Sequence, residues 1–476
     1  MITFIISLIV LIAGYFLYGK LTEKIFVPDS RPTPAEAHPD GVDYVSMKTW
    51  RVFLIQLLNI AGTGPIFGAL MGACFGPVVF LWIVFGSILG GAVHDYMSGM
   101  ISVRMNGASV SEIVGKYLGS TAKQIMRVFS VILLVLVGAV FTTSPAALVA
   151  RLTPEWMDTS FWTVIILIYY LLATLLPIDK LIGKLYPLFG CVLFIMAVGI
   201  IGGLIFGGYQ LPELSFAPQN ASGQPVWPFM FVTVACGAVS GFHATQSPMM
   251  ARCLKTEKDG RKVFYGAMIA ESIIALVWAA AGVAFYGATG GLEAALSELG
   301  QSGVVYDISV SLLGIFGGAL AVIGVVVCPV SSGDTAFRSA RLTISDWFNI
   351  DQSKISKRLY ITIPLLLAGA ILTQLDFDVV WRYFSWSNQT LAMITLWAAA
   401  MYLVKNSGKR YYSLICAVPA AFMSAVSLTY ILMAEEGFRL SAGISYPAGA
   451  AFALALLALF FIKGFAKTNT STLDKK

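Results

Sequence analysis

The stretch Asn59-Ile-Ala-Gly-Thr-Gly-Pro-Ile-Phe-Gly68 interrupts a long apolar run with residues that weaken a helix. Gly62, Gly64 and Pro65 fall within four positions. Glycine loosens a helix, and proline removes a main-chain donor and clashes with the preceding turn. Unpaired main-chain groups are costly in hydrocarbon, so a broken span persists where it lines a polar cavity. Taken alone, the stretch is equally compatible with an ordinary proline kink.

The composition indicates a membrane protein with many spans. Of 476 residues, 58% are apolar and 12% are charged, and the mean hydropathy is +0.80. Soluble domains are about half apolar and about a quarter charged. The net charge of +6 does not indicate nucleic-acid binding, because the basic residues lie in short loops between apolar runs. The six cysteines and three histidines show no metal-ligand or disulfide spacing, so no metal centre and no organic cofactor are expected.

Thirteen apolar runs of spanning length predict an all-α polytopic membrane protein. They cover roughly residues 2–19, 51–70, 77–102, 126–150, 160–177, 187–207, 228–250, 262–288, 305–332, 358–374, 379–404, 412–433 and 445–463. The first run lacks a basic leader and a small-residue cleavage site, so it is expected to be a mature helix.

The basic residues predict the orientation. All but three of the 31 Lys and Arg residues fall on one side of the predicted spans, and the exceptions are Arg151, Arg382 and Arg439. Basic residues collect in cytoplasmic loops. The N-terminus is therefore expected outside and the C-terminus in the cytoplasm.

A second interruption is predicted in residues 228–250. This run again contains small and polar residues and a proline, in the stretch Gly237-Ala-Val-Ser-Gly-Phe-His-Ala-Thr-Gln-Ser-Pro248. Aligning Pro65 with Pro248 sets the first break against Thr245-Gln246-Ser247. Five spans begin at each break and run in opposite senses, which predicts two inverted repeats with a transport site at mid-membrane. The predicted organisation is a helix and loop (1–50), the first repeat (51–207), an outer loop (208–227), the second repeat (228–404), and two helices with a tail (405–476).

Paired helix breaks bind ions and small anions through half-helix ends and freed carbonyls. The candidate substrate-binding residues lie at the two breaks and in the span 379–404: Gly62, Thr63, Gly64, Ser240, His243, Thr245, Gln246, Ser247, Asn388 and Gln389. Gln56 and Asn59 precede the first break, and either face the cavity or hydrogen-bond to another helix.

Ionisable residues inside predicted spans point to function by default. Glu271 lies near the middle of its span, and His94 and Asp95 lie in the cytoplasmic half of theirs. For Glu271 the alternative is a structural hydrogen bond to another helix. An unperturbed histidine side chain titrates near neutrality, so His243 either accepts a proton, binds a carboxylate or packs as a satisfied core residue.

Three further features lie near the predicted membrane surfaces. Asp334 is close in sequence to Arg338 and Arg341, which favours an ion pair over a coupling site. Arg382 either snorkels outward or guides an anion inward. The outer segment 291–300 is either a short amphipathic helix or a loop.

Five motifs make the chain similar to the carbon starvation protein A (CstA) family. They are Asp29-x-Arg-x-Thr-Pro-Ala-Glu36, Asp40-Gly-Val-Asp-Tyr-Val45, Ile60-Ala-Gly-Thr-Gly-Pro65, Gly90-Gly-Ala-Val-His-Asp95 and Trp386-Ser-Asn-Gln389. The resemblance covers about residues 20–404. It implies a bacterial inner-membrane transporter, linked to the carbon-starvation response and to peptide and pyruvate uptake, driven by a cation or proton gradient.

The resemblance also implies a fold and a cation site. The family is grouped with the amino acid–polyamine–cation superfamily, whose fold is the LeuT-like five-plus-five inverted repeat, here with one extra N-terminal and two extra C-terminal helices. The positions matching the sodium site of that fold, with the intramembrane carboxylates, form the predicted cation-coupling set: Ala61, Gly62, Ser331, Ser332, Thr335, Glu271, Asp95 and Asp334. Longer relatives carry a His-His pair where this chain has Ile55-Gln56, so any role of that pair is absent here.

The predicted function is secondary active transport, not enzyme catalysis. The expected activity is uptake of a small nutrient, a pyruvate-like carboxylate or a short peptide, by symport with H⁺ or Na⁺ and alternating access. The expected surroundings are the lipid bilayer, with no nucleic-acid partner. A channel would show a repeated selectivity ring, and a membrane enzyme or nutrient sensor would need a catalytic constellation or a cytoplasmic output domain. The sequence shows none of these patterns.

Overall fold

The computed structural model describes residues 1–40, 44–174, 178–216, 220, 223–352 and 354–465, and for 178–187 the main chain alone. Over these residues the chain is helical and contains no strand. The α-helices are α1 (Ile2–Phe26), α2 (Pro34–Ala37), α3 (Thr49–Ala61), α4 (Gly64–Ala73), α5 (Val79–Leu81), α6 (Ala92–Arg104), α7 (Val110–Leu118), α8 (Ser120–Leu152), α9 (Thr159–Ala173), α10 (Ile178–Phe206), α11 (Val226–Thr233), α12 (Gly241–Ala251), α13 (Gly266–Phe285), α14 (Thr289–Val322), α15 (Cys328–Phe348), α16 (Ile355–Leu372), α17 (Phe377–Asn406), α18 (Leu414–Met433) and α19 (Ala442–Phe465). Trp82–Gly91, Arg261–Tyr265 and Ile323–Val327 are π-helical. The predicted tail after residue 465 and part of the predicted loop 208–227 lie outside the described residues.

Many of these helices can cross a membrane. Among the described residues, nine are long and apolar enough, and the bent pair α3–α4 adds a tenth. The chain is therefore a multi-pass membrane protein. Three of the thirteen predicted spans fall outside this count: α9 has 15 residues, the run 228–250 is split into two short helices, and α17 has the length without the apolar composition. The number thirteen stays a prediction.

The helices form a buried centre and an outer rim. In α8 and in the segments Val79–Arg104 and Glu257–Phe285, 72%, 83% and 83% of the apolar stretch is buried inside the protein. In α1, α16 and α19 the buried share is 28%, 28% and 22%. The low-burial helices present apolar side chains to the bilayer, and two of the candidate coupling carboxylates, Asp95 and Glu271, lie on the central segments.

The first break lies where the sequence predicts it. Helices α3 and α4 meet at an angle of 48°. Gly62 has a φ of 48°, in the left-handed region that favours glycine, and a Cβ there would lie 2.5 Å from the ring of Phe141. Pro65 stands in the first turn of α4, where its missing N–H costs no helical hydrogen bond.

The second break differs from the prediction in register. Helix α11 ends at Thr233 and α12 begins at Gly241, so the irregular segment is 234–240. Pro248 lies inside α12, and the alignment of Pro65 with Pro248 was therefore wrong. A proline removes one helical hydrogen bond without necessarily ending the helix, whereas the glycine-containing segment before Gly241 finds side-chain partners for its free main-chain groups.

Helix α14 is divided by glycine. Gly300 and Gly314 have φ values of 66° and 61°, and the chain changes direction at each. The part before Gly300 is helical, so the predicted segment 291–300 is a helix and not a loop.

A cluster of charges ties the first loop to the predicted cytoplasmic ends of the central helices. The buried carboxylate of Glu257 accepts hydrogen bonds from Arg104 Nε and Nη2, each at 3.1 Å, and from the Asp29 N–H at 3.0 Å. Arg104 also donates to the Val27 carbonyl at 2.8 Å. Hydrogen bonding from Arg31 lowers the pKa of Asp29 to about 2, so this neighbouring pair stays charged at neutral pH. We call Asp29, Arg31, Arg104 and Glu257 the inner latch.

Candidate functional site

The two helix breaks lie against each other. A Cβ placed on Gly64 would collide with the Cβ and Sγ of Cys236, in the middle of the second break. A Cβ placed on Gly68 would lie 3.0 Å from the Thr233 carbonyl, at the end of α11. The glycines of the first break therefore allow two main chains to approach closely. Gly64 contacts Cys236, and not the 245–247 segment that the alignment opposed to it.

The π-helical segment Trp82–Gly91 satisfies carbonyls of the second break. Trp82 Nε1 donates to the Val234 carbonyl at 3.1 Å, and Ser87 Oγ donates to the Gly237 carbonyl at 3.1 Å. Ser272 of α13 donates in turn to Ser87 Oγ at 2.6 Å. These bonds pair main-chain groups that the helix interruption leaves free, which stabilises the break in an apolar setting.

Asn388 and Gln389 of α17 join the two halves of the second broken helix. Asn388 Oδ1 accepts from the Phe242 N–H at 2.6 Å and from Ser240 Oγ at 3.1 Å. Gln389 Nε2 donates to the Phe231 carbonyl at 3.0 Å, in the last turn of α11. Both residues were predicted to bind substrate along the path. Their observed contacts are with helix ends.

The polar residues of α12 are partly used within the helix. Thr245 Oγ1 donates to the Phe242 carbonyl at 2.6 Å, and Ser247 Oγ donates to the His243 carbonyl at 2.9 Å. Gln246 Nε2 donates to Thr245 Oγ1 at 3.0 Å. These three residues lie on a regular helix and not in the break, because the break precedes them.

A chain of buried titratable side chains crosses three central helices. Asp95 of α6 lies between two imidazoles, with Oδ1 2.8 Å from His94 Nδ1 and Oδ2 2.8 Å from His243 Nδ1. The other ring nitrogen of His243, Nε2, lies 3.4 Å from Glu271 Oε2 on α13. All four side chains are fully buried. We call His94, Asp95, His243 and Glu271 the buried tetrad.

The contact between His243 and Glu271 offers a position for one proton. If His243 Nδ1 carries a hydrogen and donates to Asp95, its Nε2 faces Glu271 across a gap longer than an ordinary hydrogen bond. A proton there belongs either to the imidazole or to the carboxyl. Neither oxygen of Glu271 has another hydrogen-bond partner among the described residues. Buried charges are stable when paired, so the gain or loss of that proton would change the net charge buried between these helices. The sequence placed Asp95 and Glu271 in the predicted cation-coupling set and His243 among the predicted substrate-binding residues, and the structure brings the three side chains together.

A second polar group precedes the first break. Gln56 and Asn59 are three residues apart on one face of α3, and Thr63 follows in the break. All three are buried, and their side-chain polar atoms have no hydrogen-bond partner in the described chain. Buried amides are normally paired. This polar stripe therefore offers donors and acceptors to a polar solute, and its spacing was visible in the sequence although the predicted site began only at Ala61.

Helix α15 meets α3 near the predicted sodium site. Ser332 Oγ donates to the Leu58 carbonyl at 3.1 Å, one turn before Ala61. Ser331 donates to the Cys328 carbonyl at 2.6 Å, and Thr335 donates to the Ser332 carbonyl at 2.9 Å. The predicted elements are thus adjacent, and the hydroxyl hydrogens of these three residues are engaged with main-chain carbonyls.

Asp334 belongs to a separate ion pair. Its Oδ2 lies 3.5 Å from Arg338 Nη2, one turn further along α15. Arg338 also donates to the Ala173 carbonyl at 3.0 Å. The ion pair that the sequence favoured for Asp334 is therefore present.

Cavities of unequal size lie on the two sides of the breaks. The one on the predicted outer side has a volume of about 310 Å³ and is lined in part by Met71, Glu293, Gln301, Asp378, Trp381, Arg382 and Ser385. The one on the predicted inner side has a volume of about 50 Å³ and is lined in part by Ser111, Ser130, Thr245, Arg252, Ser339 and Thr343. Arg382 in the outer cavity pairs with Glu436, with 3.2 Å between Nε and Oε2, so its charge is already balanced there.

The close approach of the two breaks leads to a stability prediction. We expect Gly64→Ala to lower the free energy of unfolding by about 1–3 kcal/mol, because the added methyl group overpacks against Cys236. Thermal unfolding of the purified protein measures the change. Gly408→Ala is the matched control, since a Cβ there meets nothing within 4 Å. Adding Cys236→Gly to Gly64→Ala should recover part of the loss. A Gly64→Ala protein as stable as the control would contradict the packing of the two breaks.

Comparison with known sequences shows a family match over more than half of the chain. The sequence profile described as "Carbon starvation protein CstA" matches residues 1–156 and 146–289. A relative named peptide transporter CstA, from Bacillus subtilis, is 26% identical over 524 residues, covering 88% of this chain and 88% of that protein. A relative named pyruvate/proton symporter BtsT, from Escherichia coli, is 31% identical over 333 residues, covering 55% of this chain and 46% of that protein. These relatives are named as transporters, in agreement with the prediction that the chain is not an enzyme.

Comparison with solved structures shows a shared fold. The crystal structure of the Eremococcus coleocola manganese transporter, in complex with an aromatic bis-isothiourea substituted compound, aligns with a TM-score of 0.57 at 14% identity. The alignment covers 90% of this chain and 98% of that one. The helices of this chain are therefore arranged as in a membrane transporter.

Proposed function

Because the chain belongs to the carbon starvation protein CstA family, we propose that it is a secondary active transporter that takes up a small nutrient together with protons. The observation that carries the coupling proposal is the position of His243 between Asp95 and Glu271. One imidazole linking two buried carboxylates on different helices lets a single proton alter the contacts among α6, α12 and α13.

The proposed architecture is the LeuT-like five-plus-five inverted repeat within thirteen spans. Its support is the contact between two broken helices, one in each predicted repeat, 51–207 and 228–404. In such transporters the half-helices surround a site near the middle of the bilayer. The proposed location is the bacterial inner membrane, with the N-terminus outside and the C-terminus in the cytoplasm, as the basic residues predict.

The proposed substrate is a pyruvate-like carboxylate or a short peptide. The names of the relatives support these two classes, since one is a peptide transporter and another a pyruvate/proton symporter. The outer cavity of about 310 Å³ falls at the lower end of ordinary ligand sites, which span about 300–1,000 Å³. The unpaired amides of Gln56 and Asn59 supply the donors and acceptors that either solute needs.

Uptake into proteoliposomes tests the function. We expect saturable uptake of labelled pyruvate or of a labelled di- or tripeptide, accelerated when the outside is more acidic than the inside. A sodium gradient alone is expected to have no effect, because the tetrad, and not the α3–α15 junction, supplies the coupling group. If sodium instead drives uptake and Ser332→Ala with Thr335→Ala abolishes that dependence, the coupling ion is Na⁺ at the predicted sodium site. Flux that follows no imposed gradient and does not saturate would identify a channel.

A further inference from the structure

An apolar groove runs along the outside of the bundle, away from the two breaks. It has a volume of about 400 Å³ and lies between α7, α8, α17 and α19. Phe129, Met393, Trp397 and Phe460 form its walls. From Phe452 to Lys463 on α19 the groove extends about 16 Å at 1.5 Å per residue, which is about half of the 30 Å hydrocarbon core and so the depth of one leaflet.

The polar atoms of Trp397 and Thr390 along this groove are engaged with the protein. Trp397 Nε1 donates to Ser424 Oγ at 3.1 Å, and Thr390 Oγ1 donates to the Trp386 carbonyl at 3.0 Å. The walls therefore present carbon surfaces. An occupant along the groove has to be apolar and elongated.

One end of the groove is basic. Lys463 belongs to its lining, as does Tyr117. Two more ammonium groups lie beside the Tyr117 ring, with Lys116 Nζ 5.8 Å and Lys405 Nζ 5.6 Å from its centroid. All three lysines are exposed, and none forms an ion pair with a carboxylate of the described chain. This end is on the predicted cytoplasmic side, where basic pockets between membrane helices bind anionic lipid headgroups.

We propose that this groove is a binding site for an anionic glycerophospholipid of the cytoplasmic leaflet. One acyl chain lies along Phe129, Met393 and Phe460, and the phosphate is held by the ammonium groups of Lys116, Lys405 and Lys463. The apolar groove accommodates an acyl chain that is as long as one leaflet is deep. The three lysine charges select the anionic headgroup. The site is independent of the transport function, since it shares no residue with the two breaks or the tetrad.

Native mass spectrometry of the full-length protein tests the site. The purified protein is titrated with phosphatidylglycerol and with phosphatidylcholine of identical acyl chains. We expect phosphatidylglycerol to bind at least tenfold more tightly. The combined change Lys116→Gln, Lys405→Gln and Lys463→Gln should remove that preference. The matched control changes three exposed lysines on the same side, Lys48, Lys255 and Lys258, to glutamine and should keep it.

A second variant separates the groove from the charges. Ala122→Trp fills part of the groove while keeping the three lysines, and should weaken phosphatidylglycerol binding at least tenfold. Thermal unfolding confirms that each variant is folded. Equal binding of the two lipids by the unmodified protein would overturn the proposal. So would a glutamine variant of the groove lysines that binds like its control, or an Ala122→Trp protein that binds normally.

Discussion

Replacing Glu271 by glutamine is expected to abolish proton-driven accumulation of solute while leaving the protein folded. Glutamine has nearly the same shape as glutamate but cannot exchange a proton with His243 Nε2, which faces this carboxyl at 3.4 Å. With one proton per solute, an inside pH one unit above the outside supports about tenfold accumulation. The variant should reach a ratio of about one. The measurement is the steady-state ratio of inside to outside labelled solute in proteoliposomes.

The control for this experiment is a carboxylate outside the tetrad. Glu298→Gln makes the same chemical change on an exposed residue of α14 and should keep the tenfold ratio. Exchange of labelled solute across the membrane without a pH gradient should persist in Glu271→Gln, because binding and reorientation do not require the missing proton. If the accumulation of Glu271→Gln still followed the pH gradient, Glu271 would be a structural residue.

Replacing Glu257 by alanine is expected to lower the free energy of unfolding by about 3–5 kcal/mol. The change leaves the Arg104 guanidinium, whose side chain is only 14% exposed, without its carboxylate. Removing one partner of a buried ion pair leaves an uncompensated buried charge. This lowers stability more than replacing both partners by apolar residues of similar size does. Thermal unfolding in detergent measures the effect.

Two further variants make this test specific to the inner latch. Glu36→Ala removes an exposed carboxylate of α2, outside the inner latch, and should change stability by less than about 1 kcal/mol. The double change Arg104→Met with Glu257→Met removes both charges and should be more stable than Glu257→Ala alone. A Glu257→Ala protein that unfolds like Glu36→Ala would show that the latch contributes no stability.

The first break could be predicted closely because local chemistry determines it. Gly62 requires a positive φ, and Pro65 fits the first turn of a new helix, so both residues act within their own segment. The helical state of 291–300 and the ion pair of Asp334 also follow from neighbours in the sequence. The opposite orientation of the two broken spans stays a prediction from the distribution of lysine and arginine.

The second break could not be placed from its own residues. Its position depends on donors and acceptors from elsewhere in the chain, namely Trp82, Ser87, Asn388 and Gln389. Pro248 was the strongest local signal, and α12 tolerates it. The buried tetrad was missed as a unit for the same reason. Asp95, His243 and Glu271 are far apart in sequence, and only packing of α6, α12 and α13 brings them within reach.

The side-chain amide of Asn388 keeps the second break ordered before any solute binds, and this order lowers the free-energy cost of binding. If the free N–H groups of a helix break were paired only by a ligand, the break would rearrange in the absence of that ligand. Each solute would then have to restore the binding conformation. Here the Phe242 N–H is already accepted by Asn388 Oδ1. The entropy of ordering this segment is lost once, during folding, and not at every transport cycle. A solute that binds beside this segment therefore does not have to order it.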